Sequence, residues 1–289
     1  MRSLSVPREP GAGALPNVIV IGAAKCGTTS LHHYLDLHPQ VSMAQEKELH
    51  FFSKEEVWDR GLDWYRAQFD GNASIRGEAS VTYTAHPRVT GVPARMHAVV
   101  PDVRLVYIVR DPVERIIAAY LHRRSDGMED RPLVQALLQL EGNDLVERSR
   151  YHYQLTRYLE VFPQSSIRVV CLEDLQTRPA DVMGDLYTFL GLPPFESERF
   201  REILNPTVIK RRKGRLARAL GRVGRSAPAR VFTPETRRRL GAFLYRPITR
   251  RIERPTLDDD TRRRLVEFLA PDAEALRALT GQAYPMWCV

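Results

Sequence analysis

The 289-residue chain is poor in cysteine: Cys26, Cys171 and Cys288 are an odd number, far apart. That excludes a disulfide scaffold and points to a reducing compartment; no pair has metal-ligand spacing, so no metal is expected. No segment approaches the ~20 consecutive apolar residues of a membrane span. The first sixteen residues, MRSLSVPREPGAGALP, lack the hydrophobic stretch of a signal peptide. They read as a flexible leader over 1–15, followed by a single domain over 16–289. Lysine is scarce too: Lys25, Lys47, Lys54, Lys210 and Lys213 are the only five, and most basic positions are arginine.

What is present is an ordinary globular composition, with 43% hydrophobic and 27% charged residues. The charge is uneven. Between Lys210 and Arg254 stand sixteen Lys and Arg against two acids, a local +14 in a chain of net +8, which leaves a body at −6. This basic segment, about 207–254, has helical spacing broken by Gly and Pro. A nucleic-acid or anionic-surface partner is one reading of it. The aromatics that would interleave such a surface are missing, however: Phe232, Phe243 and Tyr245 stand alone. The plain reading is a solvated arginine-rich face; no nucleic-acid partner is expected, and peripheral membrane contact stays open.

Four short continuous runs, NVIVIG (17–22), IRGEAS (75–80), VRLVYIVR (103–110) and SIRVVCLE (166–173), fit strands buried on both faces. Helical patterns fall between them: Thr28–His38, Pro112–Arg124 behind an Asp-Pro entry, Ser149–Phe162, and Ala180–Leu190 closing at Gly191. After Thr256 the pattern reads as a capped helix, a break at Pro271, and another helix. The alternation predicts a three-layer α/β fold of P-loop type: a central parallel sheet flanked by helices, with a basic helical C-terminal region.

The first strand runs into Gly22-Ala-Ala-Lys25-Cys-Gly27-Thr28-Thr29-Ser30. A loop between a strand end and a helix start gathers backbone N–H groups and the positive end of the helix dipole, so an anion belongs there. A triphosphatase loop places lysine after its last glycine, in the frame G-x-x-x-x-G-K-[ST]. Here that place is Thr28, and the lysine stands three residues earlier. A small-molecule kinase of the P-loop class is therefore the alternative, and magnesium–triphosphate chemistry is disfavoured.

As it stands, the motif resembles the 5′-phosphosulfate loop of the sulfotransferases that use 3′-phosphoadenosine 5′-phosphosulfate (PAPS). The resemblance implies that Ala24, Lys25, Cys26, Gly27, Thr28, Thr29 and Ser30 bind the donor, with Lys25 at the bridging oxygen where charge builds as the S–O bond breaks. A second segment, LVYIVRDPVERIIAAY, is similar to the family's 3′-phosphate signature. It implies Arg110 as the phosphate fork, with Arg115 on the first helical turn. The family's usual serine falls at Ala118, so one hydroxyl contact is missing.

A third segment, EKELHFFS (46–53), resembles the glycan-type branch, which includes the heparan sulfate sulfotransferases. It implies Glu48 as the base that deprotonates the acceptor, with Lys47 and His50 as neighbouring catalytic groups. RGEASVTY (76–83) implies that Glu78 and Ser80 face the acceptor, although Ala79 stands where glycan-sulfating enzymes often carry lysine. RKGR at Arg212–Arg215 resembles a late loop that closes over PAPS through Lys213 and Gly214. Trp287 reads as core.

The resemblance covers about residues 16–288. The implied reaction is sulfuryl transfer from PAPS to a hydroxyl of a carbohydrate, glycolipid or small molecule, without a metal, in a bacterial cytoplasmic enzyme. Acceptor identity and oligomeric state are not read from the sequence.

Overall fold

Five strands form one parallel sheet in the order β2-β3-β1-β4-β5: β1 (Val18–Gly22), β2 (Val41–Met43), β3 (Ile75–Ala79), β4 (Arg104–Val109) and β5 (Ile167–Cys171). The computed structural model describes residues 13–201, 211–213, 249–251 and 253–289. Every residue of β1 is buried, and all of β4 after Arg104, as expected of apolar runs covered on both faces. The sheet has one strand that the sequence reading missed. β2, Val-Ser-Met, is too short to show a run or an alternation, and it forms by pairing with β3.

Helices make the crossovers that parallel strands require. α1 (Thr28–Asp36) joins β1 to β2; α2 (Glu55–Trp58) and α3 (Gly61–Arg66) precede β3; α4 (Val92–Val99) precedes β4. Between β4 and β5 lie α5 (Pro112–Asp126), α6 (Leu133–Ala136), α7 (Asp144–Glu147) and α8 (Tyr151–Leu159). α9 (Leu172–Thr177), α10 (Pro179–Phe189) and α11 (Asp259–Thr280) follow β5. β1 and β4 are sheet neighbours, yet the chain leaves them in opposite directions, β1 toward β2 and β4 toward β5. Their two loops therefore part from a common crevice at the carboxyl ends of the strands, the place where open α/β sheets bind ligands.

Two expectations about the C-terminal region are corrected. α11 is one helix that continues through Pro271. Leu265, Leu269, Ala273 and Leu276 form one buried stripe on both sides of the proline. Asp272, just after it, accepts the N–H groups of His152 (3.0 Å) and Tyr153 (2.8 Å), capping α8, whose own N-cap Arg150 contributes no side-chain bond. Packing and this cap outweigh the backbone bond that proline removes.

The basic segment is not helical where it is described: β6 (Arg211–Lys213) pairs antiparallel with β7 (Thr249–Arg251). Of the segment, 207–210, 214–248 and 252, Gly214 among them, lie outside the described residues, as do the first twelve residues of the expected leader over 1–15.

Asp272→Ala leaves two N–H groups of α8 without an acceptor. It is expected to lower stability by about 1–2 kcal/mol, read as a lower urea midpoint at unchanged slope.

Candidate active site

The loop after β1 is shaped by sterics at two glycines. A Cβ at Gly22, where φ is +152°, would lie 2.0 Å from Thr84 Oγ1; one at Gly27, where φ is +90°, would lie 2.6 Å from Leu172 Cδ1. Ala23 N–H donates to Ile108 O of β4 (2.7 Å), fixing the loop to the neighbouring strand. Lys25 takes a left-handed backbone at φ 73°, uncommon outside glycine. α1 starts behind Gly27 with no side chain capping it, so its first turn presents N–H groups at the mouth of the loop.

Cys26 points the other way. Its side chain is buried beside the Tyr151 hydroxyl (3.5 Å), and its N–H bonds to Ala23 O (3.2 Å). Burial pushes the thiol up to about 11, so it stays protonated.

The loop is braced by a residue whose role the sequence reading missed. Arg115 is 1% exposed. Its Nε donates to Ala24 O (3.1 Å), and its Nη1 to Leu145 O (2.8 Å) and Ser149 Oγ (3.3 Å). The signal was a lone arginine among Val113, Ile116, Ile117, Ala118 and Ala119, all of them buried.

Arg110 stands where β4 meets α5. Its Nη1 reaches Lys25 O (3.4 Å) and its Nη2 reaches Glu114 Oε2 (3.3 Å), while its Nε is buried without a hydrogen-bond partner among the described residues. Glu114 also pairs with Arg254. Asp111, beside Arg110, is committed to the fold: it caps α5 through Glu114 N–H (2.9 Å) and accepts Cys288 N–H (2.6 Å). Ala118 is buried in α5. Lys213 lies in β6, a strand that packs near α5, and Trp287 is core, stacked on Tyr284 at 4.2 Å.

The third segment meets this loop from the β2–β3 side. Phe51 and Phe52 are fully packed, with Phe51 stacked on Tyr65 at 4.1 Å, and they anchor the preceding turn. Glu48, partly exposed, has Lys47 Nζ at 3.3 Å from Oε1, and its Oε2 lies 3.4 Å from Val81 N and 3.6 Å from His50 Nε2. Lys47 Nζ is also 3.3 Å from Thr28 Oγ1, the first residue of α1. One ammonium therefore bridges the phosphate-type loop and the candidate base.

His50, in a left-handed backbone at φ 59°, has Nδ1 on Thr82 Oγ1 (2.8 Å). Burial first, and then the positive charge of Lys54 and Lys47, pull its pKa below the usual 6.5 against the opposing pull of Glu48, so the ring is neutral at pH 7.

The expectation that Glu78 and Ser80 face the acceptor is corrected: both are wholly buried. Glu78 accepts from Tyr65, Tyr83 and Ser80 hydroxyls, each at 2.7 Å, and Ser80 Oγ in turn accepts His50 N–H (3.0 Å). Burial raises the Glu78 pKa, and the three hydroxyl donors work against that rise. The pair supports the Glu48–His50 turn from beneath.

Beside the loop, among the described residues, opens a pocket of about 1040 Å³ lined in part by Ser30, Tyr34, Leu172, Arg178 and Phe200. Leu172 is the residue that packs on Gly27, so the pocket adjoins the loop. No group of His, Cys, Asp and Glu among the described residues has a metal-binding arrangement.

Residues 15–226 match the sulfotransferase domain family. Human heparan sulfate glucosamine 3-O-sulfotransferase 6 is 33% identical over 270 residues, covering 89% of this chain and 76% of that protein. Human bifunctional heparan sulfate N-deacetylase/N-sulfotransferase 2 is 30% identical over 212 residues, which is 65% of this chain and 23% of that protein. Among solved structures, a sulfotransferase from Alicyclobacillus acidocaldarius superposes with a TM-score of 0.64 at 27% identity, over 95% of this chain and 99% of that one.

Arg115→Met removes three buried hydrogen bonds at once. It is expected to cost on the order of 3 kcal/mol, seen in the denaturation midpoint, and to loosen the loop that Ala24 O anchors. The neutral His50 sets an acid limit on stability. The unfolded chain takes up a proton near pH 6.5, whereas the folded ring does so only at lower pH. The stability due to this residue is therefore full above pH 6.5 and lost as pH falls through the folded pKa. A melting-temperature series from pH 7.5 to 5 is expected to fall less steeply for His50→Asn than for the wild type.

Proposed function

Because the chain belongs to the sulfotransferase domain family, whose members are PAPS-dependent transferases, we propose a specific division of labour in its site. The donor's 5′-phosphosulfate lies on the loop Ala24–Ser30, its 3′-phosphate lies on Arg110, and Glu48 deprotonates the acceptor hydroxyl. The observation that carries this reading is Lys47 Nζ, 3.3 Å from both Thr28 Oγ1 and Glu48 Oε1, which brings the donor loop and the base into one site.

The chemistry supports each assignment. A phosphate on Arg110 meets a guanidinium fork whose buried Nε has no hydrogen-bond partner among the described residues. The pocket beside Ser30 and Leu172 has the volume for a nucleoside. The bond that forms joins sulfur to the acceptor oxygen; the bond that breaks joins sulfur to the bridging phosphate oxygen; the acceptor proton passes to Glu48. Lys25 and Lys47 offset the negative charge that develops on the leaving phosphate, aided by the N–H groups at the start of α1. Neutral His50 and Val81 N–H hold the Glu48 carboxylate in place. Cys26 contributes no side chain to this surface, and Lys213 and Gly214 remain a proposed closing element.

The acceptor we favour is a carbohydrate hydroxyl, supported by the names of the curated relatives. No helix among the described residues is long and apolar enough to cross a membrane; a cytoplasmic bacterial location is part of the same proposal.

Glu48→Gln is expected to cut turnover by roughly 10²–10⁴ while leaving PAP affinity within a factor of two. Lys25→Ala is expected to lose roughly 10²–10³ in kcat. Calorimetry checks the donor half: PAP binds without magnesium, and the binding weakens in Arg110→Ala. Magnesium-dependent ATP binding with no PAP binding would make the kinase reading the correct one.

A further inference from the structure

Next to Arg110 the chain closes a ring of hydrogen bonds that the catalytic assignments do not use. Asp111 is 4% exposed, and each of its polar groups is engaged. Its N–H donates to Glu173 Oε1 (2.9 Å), its Oδ1 caps α5 and its Oδ2 accepts Cys288 N–H (2.6 Å), while its carbonyl accepts Arg115 N–H (2.9 Å). Glu173 lies in the first turn of α9. Its Oε2 accepts the Trp287 indole N–H (3.3 Å) and the Cys171 thiol (3.0 Å). Trp287 and Cys288 are consecutive, so the path from Asp111 through Glu173, Trp287 and Cys288 returns to Asp111.

The ring is anchored on two sides. Trp287 is buried and stacks on Tyr284, whose hydroxyl lies 3.1 Å from Thr280 Oγ1 of α11. Arg277 of α11 donates to Ala283 O (3.0 Å) and Val289 O (2.5 Å), one on each side of this stretch. Leu172, the residue before Glu173, packs on Gly27. The junction of β5 and α9 therefore touches both the phosphate-type loop and the step from Arg110 to Asp111.

Two consequences for Arg110 follow. The peptide that joins it to Asp111 has its N–H fixed by Glu173, which sets the direction in which the Arg110 side chain leaves the backbone. Asp111 is also the carboxylate nearest in sequence, and one free to turn would close on the guanidinium. Both of its oxygens are instead held by neutral backbone N–H groups. Arg110 reaches Lys25 O and Glu114. Neither Glu173 nor Trp287 lines the pocket beside the loop.

We propose that Glu173 and Trp287 are positioning residues for the donor: they fix the Asp111 N–H, and through it the guanidinium that takes the 3′-phosphate. The proposal rests on the assignment of Arg110 to that phosphate. It places part of the selectivity for a 3′-phosphorylated nucleotide in residues that act only through Arg110.

The test is calorimetric titration of the full chain with PAP and with adenosine 5′-monophosphate, which lacks only the 3′-phosphate. The wild type is expected to bind PAP at least about thirtyfold more tightly than the monophosphate, and Arg110→Ala to lose most of that preference. Glu173→Ala is expected to weaken PAP about tenfold and leave the monophosphate within about twofold. Glu173→Gln, which keeps one acceptor oxygen, is expected to recover part of the loss. Trp287→Phe keeps an aromatic ring against Tyr284 and removes the indole N–H; it is expected to weaken PAP about threefold with the monophosphate unchanged. In the Arg110→Ala background neither substitution is expected to cost PAP anything further.

Equal weakening of both nucleotides, unchanged PAP affinity, or a loss that persists undiminished in the Arg110→Ala background would overturn the proposal. If Glu173→Ala does not fold, Trp287→Phe, alone and with Arg110→Ala, decides by the same criteria. The donor reading survives each of those results, because it needs only a wild-type preference for PAP that Arg110→Ala removes. Equal wild-type affinity for the two nucleotides would overturn both.

Discussion

A buried guanidinium organises this molecule. Arg115 leaves α5, passes under the phosphate-type loop to hold Ala24 O, and ends on Leu145 O and Ser149 Oγ at the junction of α7 and α8. Three segments far apart in the chain converge on one planar fork. A backbone that turns left-handed at Lys25 and tolerates no side chain at Gly22 or Gly27 needs such a fixed point. The same fork places the α7–α8 junction, and so Arg148, beside Val81. The phosphate-type loop and the Val81 turn are tied to one brace.

The sheet supplies the rest of the geometry. β1 and β4 lie side by side and their connections diverge, so the loop carrying Lys25 and the residue Arg110 open onto one crevice. β2 and β3 lie on the other side and deliver the Glu48 turn and Val81. The turn is supported from below by Glu78, a buried carboxylate stabilised by three hydroxyl donors, acting through Ser80 on the His50 backbone. Positive charge gathers at the phosphate-type loop, where Arg110 reaches Lys25 O and Lys47 reaches both Thr28 and Glu48. Val81 N–H and one neutral histidine lie against the Glu48 carboxylate.

Local pattern carried much of this. Continuous Val and Ile runs locate four of the five strands, because burial on both faces leaves no room for polar residues. It missed β2, which is defined by its partner β3 and not by its own three residues. It broke α11 at Pro271, where a buried leucine stripe and the Asp272 cap hold the helix together. It made a helix of Arg211–Lys213 and Thr249–Arg251, which pair across some forty residues. It turned Glu78 and Ser80 outward, when the end of β3 is covered on both faces and the hydroxyls of Tyr65 and Tyr83 hold Glu78 inside. Each miss has the same origin: a contact distant in sequence outweighed a local preference.

The sequence by itself determined the parallel α/β architecture, the anion-binding loop with its early lysine, the arginine that ends β4, and the Glu-Lys-Glu-Leu-His-Phe-Phe segment. All of these are written in consecutive residues whose spacing fixes their backbone. Only the tertiary structure decided that Lys47 touches both Thr28 and Glu48, that Arg115 braces the loop, and that Glu78 lies buried beneath the Glu48 turn. Those facts depend on which buried charges meet across the crevice. Burial makes such meetings decisive, because a charge removed from water must find its partner in the fold or in a ligand.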